Sequence, residues 1–372
     1  MKAIFVINSL GGGGAEKQLL LTATMLARAG HGCTIVTLRG IEPHPRMAPL
    51  IAEARTAGVE WCEPAQRKRF LWSEVWRLRR LLRAQPDALL WTWGYRADVV
   101  RLLLGTVGCR PRTLVALRSA DGPRLARYRW YWRLLRACTD LFVSNSRLNL
   151  DQLEAVAPGA WARGAVIYNA LDQQTLARPT IELPAARPQS LRIHLLGNVL
   201  IQIKGYDVLI PLARSIQARG WPWMLHVGGA PFEGATLQAM IDEAGVADVV
   251  QLEGLIEQPL DFLCAGHVYL MLSRVEGMPN ALLEAMSLGL PAVCTRVGDV
   301  PHFARDREHL RLVNVADVTG TLAALEEIWA DWPEAVAMGK RGRDRCRELF
   351  TMERMTAETL SMLENFERKT RR

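Results

Sequence analysis

Ser273-Arg274-Val275-Glu276-Gly277-Met278-Pro279-Asn280-Ala281-Leu282-Leu283-Glu284-Ala285-Met286 is the stretch that decides how the 372-residue chain is read. It follows an apolar run, Val268 to Leu272, that reads as a buried parallel strand. Gly277 and Pro279 then form a loop, and Asn280 stands where it can cap a helix continuing to Leu288. This order puts Glu276 at a strand end and Glu284 one turn inside a helix. First-turn amides have no intrahelical acceptor and lie at the positive end of the helix dipole, so they can face a diphosphate. A carboxylate at Glu284 can accept both hydroxyls of a ribose diol, and Glu276 can take hydroxyls of a sugar. Either glutamate alone reads as an ordinary surface acid; the full string behind a buried strand is specific. Open α/β folds bind ligands at such carboxyl ends of strands.

Outward from this stretch, apolar strand-like runs alternate with helical periodicity through most of the chain. Toward the C-terminus the expected strands are Leu191 to Leu196, Met224 to Val227, Val249 to Leu252, Val268 to Leu272, Ala292 to Thr295 and Leu310 to Val313. Toward the N-terminus they are Ala3 to Asn8, Gly32 to Leu38, Ala88 to Trp93, Thr113 to Leu117, Leu141 to Ser144 and Ala165 to Ile167. A proline-rich, aperiodic segment at 179–190 divides the two sets and reads as a linker. The expectation is an α/β protein of two Rossmann-like, doubly wound domains, 1–178 and 191–350. A closing helix, 351–372, is expected to pack back toward the first domain.

The first strand runs into Gly11-Gly12-Gly13-Gly14-Ala15-Glu16 and then a helix. Amides of Gly13 and Gly14 can approach a phosphate or a sugar there, or the run is simply a tight turn. A dinucleotide fingerprint fits worse, because Glu16 replaces the third glycine and no acid follows the second strand at Thr37-Leu38-Arg39. Lys17 lacks Walker-loop spacing.

The formal net charge of +8 favours anionic partners without choosing among nucleic acid, membrane and phosphorylated substrates. Seven dispersed cysteines form no Cys-x-x-Cys pair, which argues against a zinc site or a disulfide framework and for a cytoplasmic setting. Glycines interrupt the N-terminal apolar run where a signal peptide would continue, and no stretch is apolar enough to span a bilayer. Membrane contact is therefore expected to be peripheral, on the inner face of the cytoplasmic membrane.

The Ser273–Met286 string resembles the signature of glycosyltransferase family 4, retaining enzymes of the GT-B fold, in which two Rossmann-like domains face across a cleft. The Gly11 to Leu20 stretch resembles that family's first loop and helix. Val166-Ile167-Tyr168-Asn169-Ala170-Leu171-Asp172 resembles its Asn-Gly-x-Asp segment, and Lys204-Gly205-Tyr206-Asp207-Val208-Leu209-Ile210 its Lys-Gly segment. The likeness covers nearly the whole chain in the expected order. It implies a UDP- or GDP-sugar donor held by the second domain, with Lys204 on the diphosphate and Glu276 on the donor sugar. Asn198, Gly277, Met278, Pro279, Asn280, Leu283 and Glu284 would complete that site, with Gly13 and Gly14 contributing from the first domain. It also implies hexosyl transfer with retention, in which a donor phosphate oxygen takes the acceptor proton. Two positions depart from the pattern: Asn198 follows Gly197 where arginine is frequent, and Ala170 replaces glycine.

Trp91-Thr92-Trp93-Gly94-Tyr95-Arg96-Ala97-Asp98 and Leu117-Arg118-Ser119 resemble acceptor-side segments of polysaccharide- and lipopolysaccharide-building relatives. Tyr95, Arg96, Arg118 and Ser119 are thus acceptor candidates for a saccharide or lipid-diphosphate-linked substrate. Each arginine can hold an anion or serve as a structural ion-pair partner. Two basic, aromatic segments, Arg67 to Arg83 and Arg124 to Arg136, suit an anionic membrane surface or an amphipathic helix packed on its own domain. In the second, Leu125, Tyr128, Trp132 and Leu135 share the projected apolar face. No nucleic-acid-binding module is present. The chain has no Asp-x-Asp, so no metal or other cofactor is expected. The competing readings are a nucleotide-sugar epimerase of the same architecture and a noncatalytic subunit of a glycan-assembly complex.

Overall fold

The computed structural model describes residues 1–42, 44–45, 47–64, 71–118 and 122–371, with 122–124 and 370–371 in backbone only. The chain forms two compact units, Met1–Ala170 with Met352–Arg372, and Leu171–Thr351.

The first unit holds β1 (Lys2–Ile7), β2 (Gly32–Thr37), β3 (Glu60–Cys62), β4 (Leu89–Trp93), β5 (Thr113–Leu117), β6 (Leu141–Ser144) and β7 (Gly164–Val166). They form one parallel sheet in the order β3-β2-β1-β4-β5-β6-β7. Alternation along the strands sends side chains to two faces. Phe5, Ile35, Trp91 and Leu114 pack with Leu19 and Leu26 of the helix Gly14–Arg28 and with Met362 and Phe366 of the helix Met352–Arg371. On the other face, Ile4, Val36 and Leu90 meet Val75 and Leu78 of the helix Leu71–Ala84 and Val100 and Leu104 of the helix Tyr95–Thr106.

The second unit holds β8 (Leu191–Leu196), β9 (Trp223–Gly228), β10 (Val250–Gly254), β11 (Val268–Met271), β12 (Ala292–Thr295) and β13 (Arg311–Val313). These strands are also parallel, in the order β10-β9-β8-β11-β12-β13. Each sheet therefore reverses its winding once, at β1/β4 and at β8/β11. Those switch points open a crevice at the strand carboxyl ends, the site of ligands in doubly wound folds.

The structure corrects four expectations. β3 was not foreseen, because Glu60-Trp61-Cys62 is a short, half-exposed edge strand with no apolar run. The chain changes units at Ala170/Leu171, earlier than 178/179: Leu171 N–H donates to Phe350 O at 2.9 Å, and the helix Gln173–Ala177 packs on the helix Asn280–Ser287. The 179–190 segment is irregular but is strapped to the second unit. Ile181 N–H donates to Leu288 O at 2.9 Å, and the indoles of Trp332 and Trp329 donate to Pro184 O and Pro188 O at 2.7 and 3.3 Å. Finally, the projected apolar face of the second basic segment turns largely inward. Leu125 and Leu135 are buried, Leu135 against Val115, Phe142 and Leu150, and Trp132 is half-buried, while Tyr128 stays exposed. Solvent instead meets Trp130, 75% exposed, and Leu134, 56% exposed, beside Arg127, Arg129 and Arg133. In the first basic segment Arg67 to Phe70 lie outside the described residues, and the helix after them leaves Trp72 and Trp76 half exposed.

Candidate functional site

At the second switch point, the loops after β8 and β11 meet. β8 leads through Gly197 and Asn198 into the one-turn helix Ile201–Lys204, which ends at Gly205 in the left-handed region, φ 68°. A side chain at Gly205 would drive its Cβ onto Leu272 O at the end of β11, so the Lys-Gly pair is a requirement of close backbone approach. Arg274 N–H donates to Ile203 O at 2.8 Å, and the Arg274 guanidinium forks onto the Asp207 carboxylate at 2.5 and 2.6 Å. That charge-assisted fork holds the Asp207 carboxyl below its ordinary range and pins the lysine helix to the glutamate loop. The Tyr206 hydroxyl, pushed up by burial, donates to Gly197 O at 3.4 Å and closes the loop from below.

Lys204 and Glu276 are thereby brought together. The Lys204 ammonium lies 2.6 Å from Glu276 Oε1, which also accepts from the Ser273 hydroxyl at 2.9 Å. Both charged side chains remain partly exposed, at 24% and 14%. The loop Gly277-Met278-Pro279 is buried, Asp299 N–H donates to Gly277 O at 3.2 Å, and Gly298, at φ 55°, passes against the Gly277 carbonyl. Asn280 does not cap the following helix. It is the first helical residue, and Pro279, whose side chain has no acceptor, sits at the cap position. Leu283 and Glu284 lie within that helix and are buried, Glu284 at 2% exposure. Asn198 is exposed at the end of β8.

The first switch point presents a different chemistry. Gly13 N–H donates to the Glu16 carboxylate in a short capping contact, and Glu42 lies beside Gly11. Burial is the largest influence on Glu16 and raises its pKa. The glycine loop thus offers a carboxylate where a phosphate site needs free amides, a Gly-x-x-Glu pattern legible in the sequence. Beside it, Ile41, Glu42, His44, Ala48, Ile51, Ala52 and Arg55 line a cavity of about 500 Å³ that the sequence did not reveal. After β4, Gly94 turns the chain so that Tyr95 and Arg96 are exposed. The Tyr95 ring rests 5.1 Å from that of Tyr131, whose hydroxyl donates to the buried Asp98 at 3.1 Å. Arg118, directly after β5, lies with its guanidinium carbon 3.8 Å from the Trp93 ring centroid. Ser119 lies outside the described residues. The Arg274–Asp207 fork was missed at the sequence level, although both residues stand inside the quoted motifs with opposite charge.

This arrangement defines a class: a GT-B protein whose second switch point brings together the Lys204–Glu276 pair and the start of the helix that carries Glu284. Residues 190–331 match the model for glycosyl transferases group 1, and residues 12–175 match that for glycosyltransferase family 4. The chain belongs to the family 4 glycosyltransferases. It is 27% identical over 186 residues to the lipopolysaccharide core biosynthesis glycosyltransferase LpsE of Rhizobium meliloti, a match covering 50% of this chain and 52% of that protein. It is 34% identical over 157 residues to the GDP-mannose-dependent alpha-(1-6)-phosphatidylinositol monomannoside mannosyltransferase of Mycolicibacterium smegmatis, covering 39% and 40%. The match thus spans about half the length of LpsE or less of the second relative. The crystal structure of Anabaena HepE in complex with UDP and glucose shares the fold with TM-score 0.80 at 15% identity, over 98% of this chain and 99% of that one.

Proposed function

We propose that the protein is a glycosyltransferase that moves a hexose from a UDP- or GDP-sugar to a saccharide or lipid-linked acceptor, with retention, in cell-surface polysaccharide or lipopolysaccharide assembly. The observation that carries this reading is the Lys204–Glu276 pair at the β8/β11 switch point, next to the start of the helix Asn280–Ser287. A lysine held by one carboxylate, with amides beside it, can neutralise a leaving diphosphate. Glu276 holds the ammonium in place before the donor arrives and takes donor hydroxyls afterwards, and Glu284 binds the ribose diol. The lysine and helix amides supply the positive charge, so the reading assigns no metal. LpsE and the mannosyltransferase carry lipopolysaccharide-core and GDP-mannose chemistry in their names, and the HepE crystal holds UDP and glucose, which supports the donor class and the setting.

Calorimetric titration with UDP and GDP tests the donor assignment. One nucleotide should bind, and Glu284→Ala should weaken it by roughly tenfold or more, the loss of a charge-assisted hydrogen-bond pair. Equal affinity in wild type and variant would remove Glu284 from the site.

The same reading places the first unit on the inner membrane surface. Trp72, Trp76, Trp130 and Leu134 are exposed among arginines, and the helices that carry them both flank the helix Tyr95–Thr106. Such a patch suits anionic headgroups. Among the described residues no helix is long and apolar enough to cross a membrane. Vesicles containing phosphatidylglycerol should sediment the protein, and Trp130→Glu with Leu134→Glu should release it. Equal sedimentation of wild type and double variant would remove this patch from the reading.

A further inference from the structure

We propose that Arg118 is the seat of an anionic oxyacid group, phosphate or carboxylate, carried by the acceptor. The assignment to the acceptor rests on the transferase reading; the anion seat itself does not.

The argument begins with what surrounds the guanidinium. Arg118 follows Leu117 at the carboxyl end of β5, beside the β1/β4 switch point. It lies over the Trp93 ring, 3.8 Å from guanidinium carbon to centroid, and its Nη1 donates to Asn169 Oδ1 at 3.2 Å. Asn169 is buried. Among the described residues, Arg118 Nε is buried without a hydrogen-bond partner, and so is Nε1 of Trp93. Burial alone pushes the Arg118 pKa down to about 9, and no neighbouring carboxylate offsets it among the described residues.

Arg77 Nε and Arg101 Nη1 also lack a hydrogen-bond partner among the described residues, but a carboxylate stands near each of those two arginines. Arg77 pairs with Glu74 at 2.5 Å. Arg101 donates to Thr113 and Cys138 O, with Asp140 adding a favourable charge. Among the described residues, Arg118 meets an aromatic face and one neutral amide. A half-buried cation with no carboxylate beside it among the described residues opposes folding, and an arriving anion removes that cost. The Trp93 face and Asn169 hold the guanidinium flat and leave donors to fork onto an oxyacid, which a lysine could not match. The neighbouring glycine loop does not compete for the anion, because Glu16 occupies Gly13 N–H and Glu42 stands beside it.

Thermal melting and titration of the full chain test this with four probes. Glycerol 3-phosphate and methyl glucuronide carry the two anions; glycerol and methyl glucoside are their neutral counterparts. At least one anionic probe should raise the melting temperature and neither neutral one should. Arg118→Met should weaken the effective probe by roughly tenfold or more, and Lys204→Met should leave that binding in place. The Arg118→Met protein without ligand should melt at or above wild type, because it no longer buries the cation. Arg118→Gln, neutral but still polar, repeats the test should the methionine variant not fold. A larger shift with glycerol 3-phosphate supports a phosphorylated acceptor, and a larger one with methyl glucuronide supports a uronic acid. No shift with either anion, a shift that survives both Arg118 substitutions, or one abolished by Lys204→Met alone overturns the proposal. UDP and GDP titrations of the same preparations separate the two claims. Loss of nucleotide binding with anion binding intact would sink the transferase reading and leave the seat at Arg118 standing.

Discussion

Lys204→Met should lower kcat for sugar transfer by roughly 10²- to 10³-fold, the cost of removing one group aimed at charge that develops in the transition state. The expected split is informative. Because the ammonium is already held 2.6 Å from Glu276 Oε1, it is positioned before the donor binds. On the proposed reading its main contribution falls on the leaving diphosphate, so kcat should drop more than KM rises. Lys204→Arg should not restore full rate, because the planar fork differs from a point charge in geometry. Steady-state kinetics on the three proteins check this. A Lys204→Met enzyme with unchanged kcat would remove the lysine from the chemistry.

The second large effect is acid lability of the second unit. His194 is buried beside the rings of His226 and Phe262, at 4.8 and 4.4 Å. Burial, with the nearby His226, pushes its pKa down to about 4. His267 is buried too, accepts from Arg192 N–H on Nδ1 at 3.2 Å, and is also pushed down to about 4, by burial first and Arg192 second. Each is neutral when folded and takes up a proton more readily when unfolded. The unfolded chain therefore binds more protons between the ordinary histidine value and the folded one, and stability falls as pH drops through that window. Each depression corresponds to about 3 kcal/mol once the pH is below both values. The first unit carries an opposite term. Asp98, buried against Thr92 and Tyr131, is pushed up to about 7, so its contribution is lost as pH rises through neutrality. Denaturant unfolding at pH 7 and pH 5 should show the second unit weakening, and His194→Phe should flatten its dependence. Identical pH dependence in that variant would show that His194 is not a source of the lability.

The sequence carried the fold wherever burial was two-sided. β5, β6 and β12 are almost entirely apolar runs because both faces of a parallel sheet are covered. It failed at β3, whose edge position needs no such run. It also failed at 179–190, where proline content says that no regular element forms but not which unit holds the segment. The residues gathered at the β8/β11 switch point were legible as ordered motifs, because close backbone approach at Gly205 and Gly298 leaves little freedom in residue type. What composition could not show was which way side chains turn. Helical projection groups Leu125, Tyr128, Trp132 and Leu135 but does not say that this face meets β5 and β6 and leaves Trp130 and Leu134 to solvent. Nor does a glycine run show that Glu16 folds back onto it.

The most direct test of the central claim is product formation by the full-length protein. Panels of UDP- and GDP-sugars would be offered with and without lipid-linked saccharide acceptors, following nucleoside diphosphate release and the anomeric configuration of the product by NMR. The account predicts acceptor-stimulated release with one donor, the sugar appearing on the acceptor with its anomeric configuration retained, and loss of both in Glu284→Ala. Donor binding without turnover across the acceptor panel, or conversion of the donor to an epimer with no acceptor consumed, would contradict it.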